Sequence, residues 1–318
     1  MAIDLKLQDN LVTPTQNGEK SQVSKFIHEL LHSGTGIFGL IIISFMTLAA
    51  VFAPWISPYD PGVINLPDRL LPPLFFGGNT NHIFGTDALG RDLLSRVLYG
   101  ARVSLWIAVI VVAIAASFGT IVGLLAGFYG KWVDQLIMRI ADTQLAFPGI
   151  LLAIVILYAL GPSVTLVIIV LSINGWIVHA RMIRGLVLSL RTNDFVEAAE
   201  LGGARPVRVM LKHILPNLTS TILTLVVLEF ARIILAEAAL SFLGYGVQPP
   251  DASWGLILAE GQNYLSSGWW LVTIPGLMIA ITVMSANLFA SWLRIYTDPR
   301  LRDKQMRRQL DQIVKANQ

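Results

Sequence analysis

The sequence predicts an all-α, polytopic membrane protein with six transmembrane helices. Three observations lead there. Of 318 residues, 54% are hydrophobic and 14% charged, whereas a soluble domain carries about 25% charged residues. The apolar residues fall into charge-free runs, and about 20 such residues are enough to cross a bilayer. Eighteen of the 23 Lys and Arg residues fall on one side of those runs and four on the other, the bias of cytoplasmic over external loops.

The polar N-terminal tail, residues 1–36, shows no sustained period before about residue 18 and is expected to be mobile there. The first span is Ile37 to Ile56, longer than the roughly 7–15 residues of a signal-peptide core and therefore read as retained. Residues 57–102 form an extracytoplasmic loop whose Pro58, Pro61, Pro67, Pro72 and Pro73 suit ordered turns. The transmembrane core, 103–293, holds spans at Val103–Tyr129, Thr143–Leu160, Ser163–Ala180 and Trp269–Leu293. It also holds Leu218–Leu243, equally long but carrying Glu229, Arg232 and Glu237. Residues 181–217 form a cytoplasmic loop within this core, and 294–318 a cytoplasmic C-terminal tail. Six spans put both termini on the basic, inner side of a bacterial cytoplasmic membrane.

Composition also excludes. The chain has no cysteine, so disulfides, thiolate metal sites and thiol nucleophiles are absent. The net charge of +3 is accounted for by the inward bias, and no nucleic-acid partner is expected. Gly130-Lys131 is the only Gly-Lys pair, but Leu125 stands where a P-loop needs its first glycine. With no nucleophile elbow either, no catalytic residue and no cofactor are assigned. His28, His32, His82, His179 and His213 are read as scattered, and no metal site is expected.

The inner loop is the most specific segment. Asp194 is expected as an N-cap with Glu197 three residues on, and Gly202-Gly203 as the left-handed helix end. Pro206 opens a second short helix expected to stop at Pro216, before the fifth span. Phe195, Ala198, Ala199 and Gly202 share one face, a large aromatic beside small residues that can enter a partner's groove. Glu197-Ala198-Ala199, three residues, Gly203, nine residues, then His213-Ile214-Leu215-Pro216 resembles the EAA loop of ABC importer permeases, with His213 where that pattern usually has Ile.

Other stretches are similar to the dipeptide, oligopeptide and nickel permeases of that class. They are His82 to Arg96, Tyr99 to Arg102, Glu237 to Gly244, and Asp298-Pro299-Arg300-Leu301-Arg302. The long loop after the first span fits their C-type subunit. The resemblance implies a type I importer fold and a non-catalytic permease that carries peptides or a related solute such as a nickel or other metal chelate. It also implies a heterodimer with a second permease, two cytoplasmic ABC ATPases, an extracytoplasmic substrate-binding protein and contact with membrane lipid. Glu197, Ala198, Ala199, Gly203, Leu215 and Pro216 would form the ATPase-coupling element. A stand-alone secondary transporter is the alternative, but it leaves the EAA pattern unexplained.

Charges inside a span cost roughly 2.5–3.5 kcal/mol each near its centre. Glu229 and Arg232, three apart, are expected to pair, so that neutralising either leaves the other stranded. Glu237 lies about 80° around the helix from Glu229, and the three are expected at an interface or along the pathway. Gly119, Gly123 and Gly127 form overlapping GxxxG units expected to bring helices close.

Overall fold

The computed structural model describes residues 22–297, and among these no β-strand occurs beyond one isolated bridge, Thr86 with Asp92. The helices are α1 (Gln22–His32), α2 (Gly34–Val51), the one-turn α3 (Ala53–Ile56), α4 (Leu93–Tyr129), α5 (Lys131–Leu145) and α6 (Gly149–Leu160). They continue with α7 (Val164–Leu190), α8 (Asp194–Leu201), α9 (Pro206–Val209), α10 (Leu215–Phe242), α11 (Trp254–Gly261) and α12 (Trp270–Thr297). By length and composition α2, α4, α7 and α12 can each cross a membrane, and α5 with α6 is a bent pair that can do so together. Helix α10 has 28 residues and carries the three charges. It extends about 42 Å at 1.5 Å per residue, longer than the hydrocarbon core of about 30 Å. The mobile tail expected before residue 18 and the Asp298 to Arg302 motif lie outside the described residues.

Several boundaries differ from the sequence expectation. The first span ends at Val51, because Pro54 starts a new turn in α3 and its ring cannot continue the old one. Helix α4 begins at Leu93, ten residues inside the stretch expected as loop, because Asp92 caps it by accepting from the Ser95 N–H at 2.8 Å. Helix α7 runs on to Leu190, past the expected limit at Ala180, and Arg184 pairs there with Asp134 of α5. The third span is broken: α5 and α6 meet at 79°, since Pro148 excludes its predecessor from the helical region. Helix α11 occupies a stretch for which no element was expected.

Helices α4 and α7 form the central pair. A Cβ on Gly119 would lie 2.5 Å from the Trp176 carbonyl oxygen, one on Gly123 2.7 Å from that of Ala180, and one on Gly127 2.7 Å from the Val187 Cβ. The three glycines thus let two backbones touch, as the GxxxG spacing predicts. Two apolar clusters follow from this pairing. The larger joins the first half of α4 to α10, α11 and α12 through residues such as Val97, Ile107, Ile234, Trp254 and Leu271. The smaller, at the other end of α4, gathers Leu124, Phe128, Ile183, Val187, Val196 and Ile214.

The scattered reading of the histidines fails for two of them. His28-Glu29-Leu30-Leu31-His32 is an H-E-x-x-H spacing on α1. The two rings stack at 4.3 Å on an exposed face, and among the described residues no third His, Asp or Glu joins them in a metal-holding group.

Substituting Gly123 by Leu should push α4 and α7 apart at a cost of about 1–3 kcal/mol, read as a lower Tm of the detergent-solubilised protein. Gly185→Leu, on the same helix pair but facing open space, should leave Tm unchanged. Equal shifts in the two variants would refute the close-packing account.

Candidate functional site: a docking helix and the polar groups of the bundle

The segment 193–218 builds one compact unit at the end of the bundle where α4 finishes. Asn193, not Asp194, is the N-cap of α8, and its side chain makes no capping bond. Glu197 is therefore one position too far along to close a capping box. The other end of α8 is a full Schellman turn: the Ala204 N–H donates to Ala199 O at 3.1 Å and the Gly203 N–H to Glu200 O at 2.9 Å. Only Gly203 adopts the left-handed conformation, φ +78°, whereas Gly202 has φ −72°.

Pro216 does not stop the second short helix. Helix α9 passes through a π-turn, Met210–Ile214, directly into α10, and Pro216 sits in the first turn of α10. The proline lacks an N–H and its ring crowds the carbonyl four residues back. The wider turn relieves that crowding, with the Leu215 N–H donating to Met210 O across five residues. The Asn217 side chain satisfies a loosened carbonyl, donating Nδ2 to His213 O at 2.6 Å.

This unit is seated by one face only. Val196 is fully buried in the smaller apolar cluster, with Ala199 and Leu215 packed beside it. Glu197, Ala198, Glu200 and Gly203 are exposed, as are Phe195 at 41% and Leu201 at 84%. Ala199 thus faces the protein's own core, a correction to the shared face read from spacing. Leu201, which that reading missed, replaces it on the outward surface.

The charges of α10 separate into two sites. Glu229, 4% exposed, accepts from Arg232 Nε at 2.9 Å and from Arg232 Nη2. A Cβ on Gly175 of α7 would lie 3.1 Å from its Oε1, so a glycine makes room for the carboxylate. The Arg232 side chain remains 49% exposed, on a face shared with Leu228 and Leu235. Glu237 is fully buried within the chain. Ser104 Oγ of α4 donates to Glu237 Oε2 at 2.9 Å and Ser241 Oγ donates to Oε1 at 2.7 Å, while the Trp254 N–H of α11 donates to Ser104 Oγ at 3.4 Å. A Cβ on Gly255 would lie 2.4 Å from Ala238 O, so α11 rests directly on α10 beside this carboxylate.

The stretch His82 to Arg96 is also turned inward. Arg96, 2% exposed, donates Nη1 to Asp87 Oδ2 at 2.5 Å and to Glu260 Oε2 of α11 at 2.6 Å. Arg91 bonds the same two carboxylates at 2.6 and 2.8 Å. The Trp270 indole N–H donates to Thr86 O at 3.1 Å. The connection 57–92 is thereby bolted to the starts of α4 and α12, and Glu260, Ser104 and Trp254 are site residues that no sequence motif announced.

A bent helix pair, glycine-packed apolar helices, partnered charges between them and a short, half-exposed helix at one end define a polytopic membrane protein. The chain belongs to the family described as binding-protein-dependent transport system inner membrane component, whose model matches residues 119–303, and a second model, the N-terminal TM domain of oligopeptide transport permease C, matches 21–73. It is 44% identical over 284 residues to a putative peptide transport system permease protein of Brucella suis, covering 89% of this chain and 94% of that one. It is 39% identical, with the same coverage, to a di/tripeptide transport system permease protein of Pseudomonas aeruginosa. Against a dipeptide transport system permease protein of Haemophilus influenzae it is 37% identical over 294 residues, 91% of this chain and 99% of the relative. It is therefore the non-catalytic permease component of an ABC importer of the bacterial inner membrane, working with ATPase and substrate-binding partners. The secondary-transporter alternative finds no support.

The structure removes the symmetry expected of Glu229 and Arg232. Arg232→Gln strands a buried carboxylate and should cost about 3–5 kcal/mol, read as loss of protein from the membrane. Glu229→Gln keeps an amide oxygen that can still accept from the guanidinium and should be milder, with the double variant close to it. Equal loss in both single variants would overturn this account.

Proposed function

We propose that this chain is the C-type permease subunit of a peptide importer, paired as a heterodimer with a second permease and served by two ATPases and an external binding protein. The peptide assignment rests on the names of the relatives. In this reading 57–102 lies outside the cytoplasmic membrane, and 181–217 and both termini lie in the cytoplasm, a placement supported by the eighteen basic residues on that side.

One observation carries the coupling role. Helix α8 buries Val196 against the cluster that also contains Val209, Met210 and Ile214, while Phe195 and Leu201 are left uncovered on its other side. We assign Phe195, Ala198 and Leu201 to a cleft on the ATPase, with Glu197 and Glu200 facing basic residues at its rim. Gly203 holds the turn. Leu215 and Pro216 join the unit to α10, so a displacement of α8 moves α10 as well. ATP binding closes the ATPases and draws the paired docking helices together. The spans then open toward the binding protein, and the substrate is released inward after hydrolysis. The exposed side of Arg232 belongs to the surface covered by the second permease, and Glu237 to the junction between helices of this chain.

Ala198→Asp places a charge on the outward face and should abolish peptide uptake and ATPase association while membrane levels stay normal. Ala199→Asp should instead lower membrane levels, because that side chain faces the chain's own core. Undiminished uptake by a well-expressed Ala198→Asp variant would sink the coupling assignment. For topology, a reporter after Gln318 should be cytoplasmic and one inserted near Thr80 external. Finding both on one side would refute the orientation.

A further inference from the structure

Helix α1 precedes the first span, and nothing in the transport reading uses it. It is joined to α2 by the single residue Ser33, whose Oγ accepts from the Gly36 N–H at 3.1 Å. One face is fixed to the end of the last span. Leu30 is buried with Trp292 and Leu293, and the Phe26 ring meets Trp292 and Tyr296 edge-on at 5.1 Å each. A Cβ on Gly36 would lie 2.6 Å from the Trp292 ring, so α2 is pressed against the same aromatic.

What remains uncovered is ordered around the helix. At about 100° per residue, Ile27 and Leu31 form a row beside the docked row of Phe26 and Leu30, and His28 and His32 form the next. Ile27 is 49% exposed and Leu31 60%. The His32 Nδ1 is bonded to the His28 carbonyl at 2.7 Å, which leaves the imidazole Nε2 atoms to meet other groups.

We infer that α1 is a membrane-surface helix: its Ile27/Leu31 row is seated among the acyl chains of the leaflet nearest the N-terminus, with His28 and His32 at the level of the lipid phosphates. The depth follows from covalent and packing constraints. A helix one residue from a membrane-spanning segment cannot leave the interface, and Trp292 with Tyr296, at the finishing end of α12, are the residue types that gather at that depth. The order docked, apolar, imidazole is what such a helix needs, because one row is spent on protein, the next faces hydrocarbon and the third reaches headgroups. An eleven-residue helix has little stability of its own in water, so the exposed row contributes only if something apolar covers it. The inference depends neither on the substrate nor on which side of the membrane the termini occupy.

The absence of cysteine makes the test direct. Ile27→Cys, Leu31→Cys and His28→Cys each introduce the only thiol, which takes a nitroxide label in the full-length chain. The chain, with its co-purifying subunits, is reconstituted into phosphatidylethanolamine/phosphatidylglycerol vesicles. Collision rates are read with oxygen, which concentrates in hydrocarbon, and with a water-soluble nickel chelate. The oxygen-to-chelate ratio should exceed unity at 27 and 31 and invert at 28. Chelate-dominated collisions at 27 and 31 would put the row in water, and low rates with both reagents would show a protein covering it. Either result overturns the proposal.

Discussion

A charged group placed inside the apolar bundle is costly unless the protein supplies its partner, because hydrocarbon offers none. That constraint explains why the carboxylates of α10 sit where they do. Glu237 accepts hydrogen bonds from the Ser104 and Ser241 hydroxyls, and with the Trp254 N–H donating to Ser104 Oγ this holds α4, α10 and α11 at one junction. Glu229 is met by its own helix through Arg232, and Gly175 leaves the space for it. The break between α5 and α6 obeys the same rule. Gln144 donates Nε2 to Ile173 O at 2.6 Å and accepts from the Trp176 indole at 3.1 Å, and Asn174 donates to Gly149 O at 3.3 Å. Side chains of α5 and α7 thus tie both sides of the break to α7.

The same logic operates at the two ends of the bundle, with different materials. At one end, charged groups are used: Arg91 and Arg96 neutralise Asp87 and Glu260, which ties the long connection to α11. At the other end apolar contact is used. Helix α8 has eight residues, too few to persist alone, and it is kept helical by Val196 in the smaller cluster and by the Schellman turn at Gly203. Helix α9, the π-turn and α10 follow without a break in helical backbone, and α8, separated from α9 by the turn at 202–205, is tied to that continuous piece through Val196, which packs with Val209, Met210 and Ile214.

The apolar runs, the uneven distribution of basic residues and the EAA spacing were legible in the sequence because each is a local property. A bilayer selects on the length and charge of a run, and a helix end announces itself through glycine and proline. That information sufficed for the fold class and for the pairing of Glu229 with Arg232, whose separation is a property of one helix. It did not suffice where local signals compete. Asp194 and Asn193 both suit an N-cap, and the choice went to Asn193. Pro216 reads as a stop, yet a π-turn carries the helix through it. The H-E-x-x-H spacing of His28 and His32 in α1 is as local as these and equally legible.

Sequence by itself determined the all-α membrane fold class, where the EAA-like spacing lies and which charges fall within apolar helices. Only tertiary structure decided which way each side chain faces. The inward turn of Ala199, the burial of Glu229 against the exposure of Arg232, and the meeting of Arg96 with Glu260 across 164 positions depend on what the neighbouring helix presents. The physical reason is that helical periodicity specifies angles about an axis, whereas the direction of the core is set by partners distant in sequence, here through the glycine contact between α4 and α7.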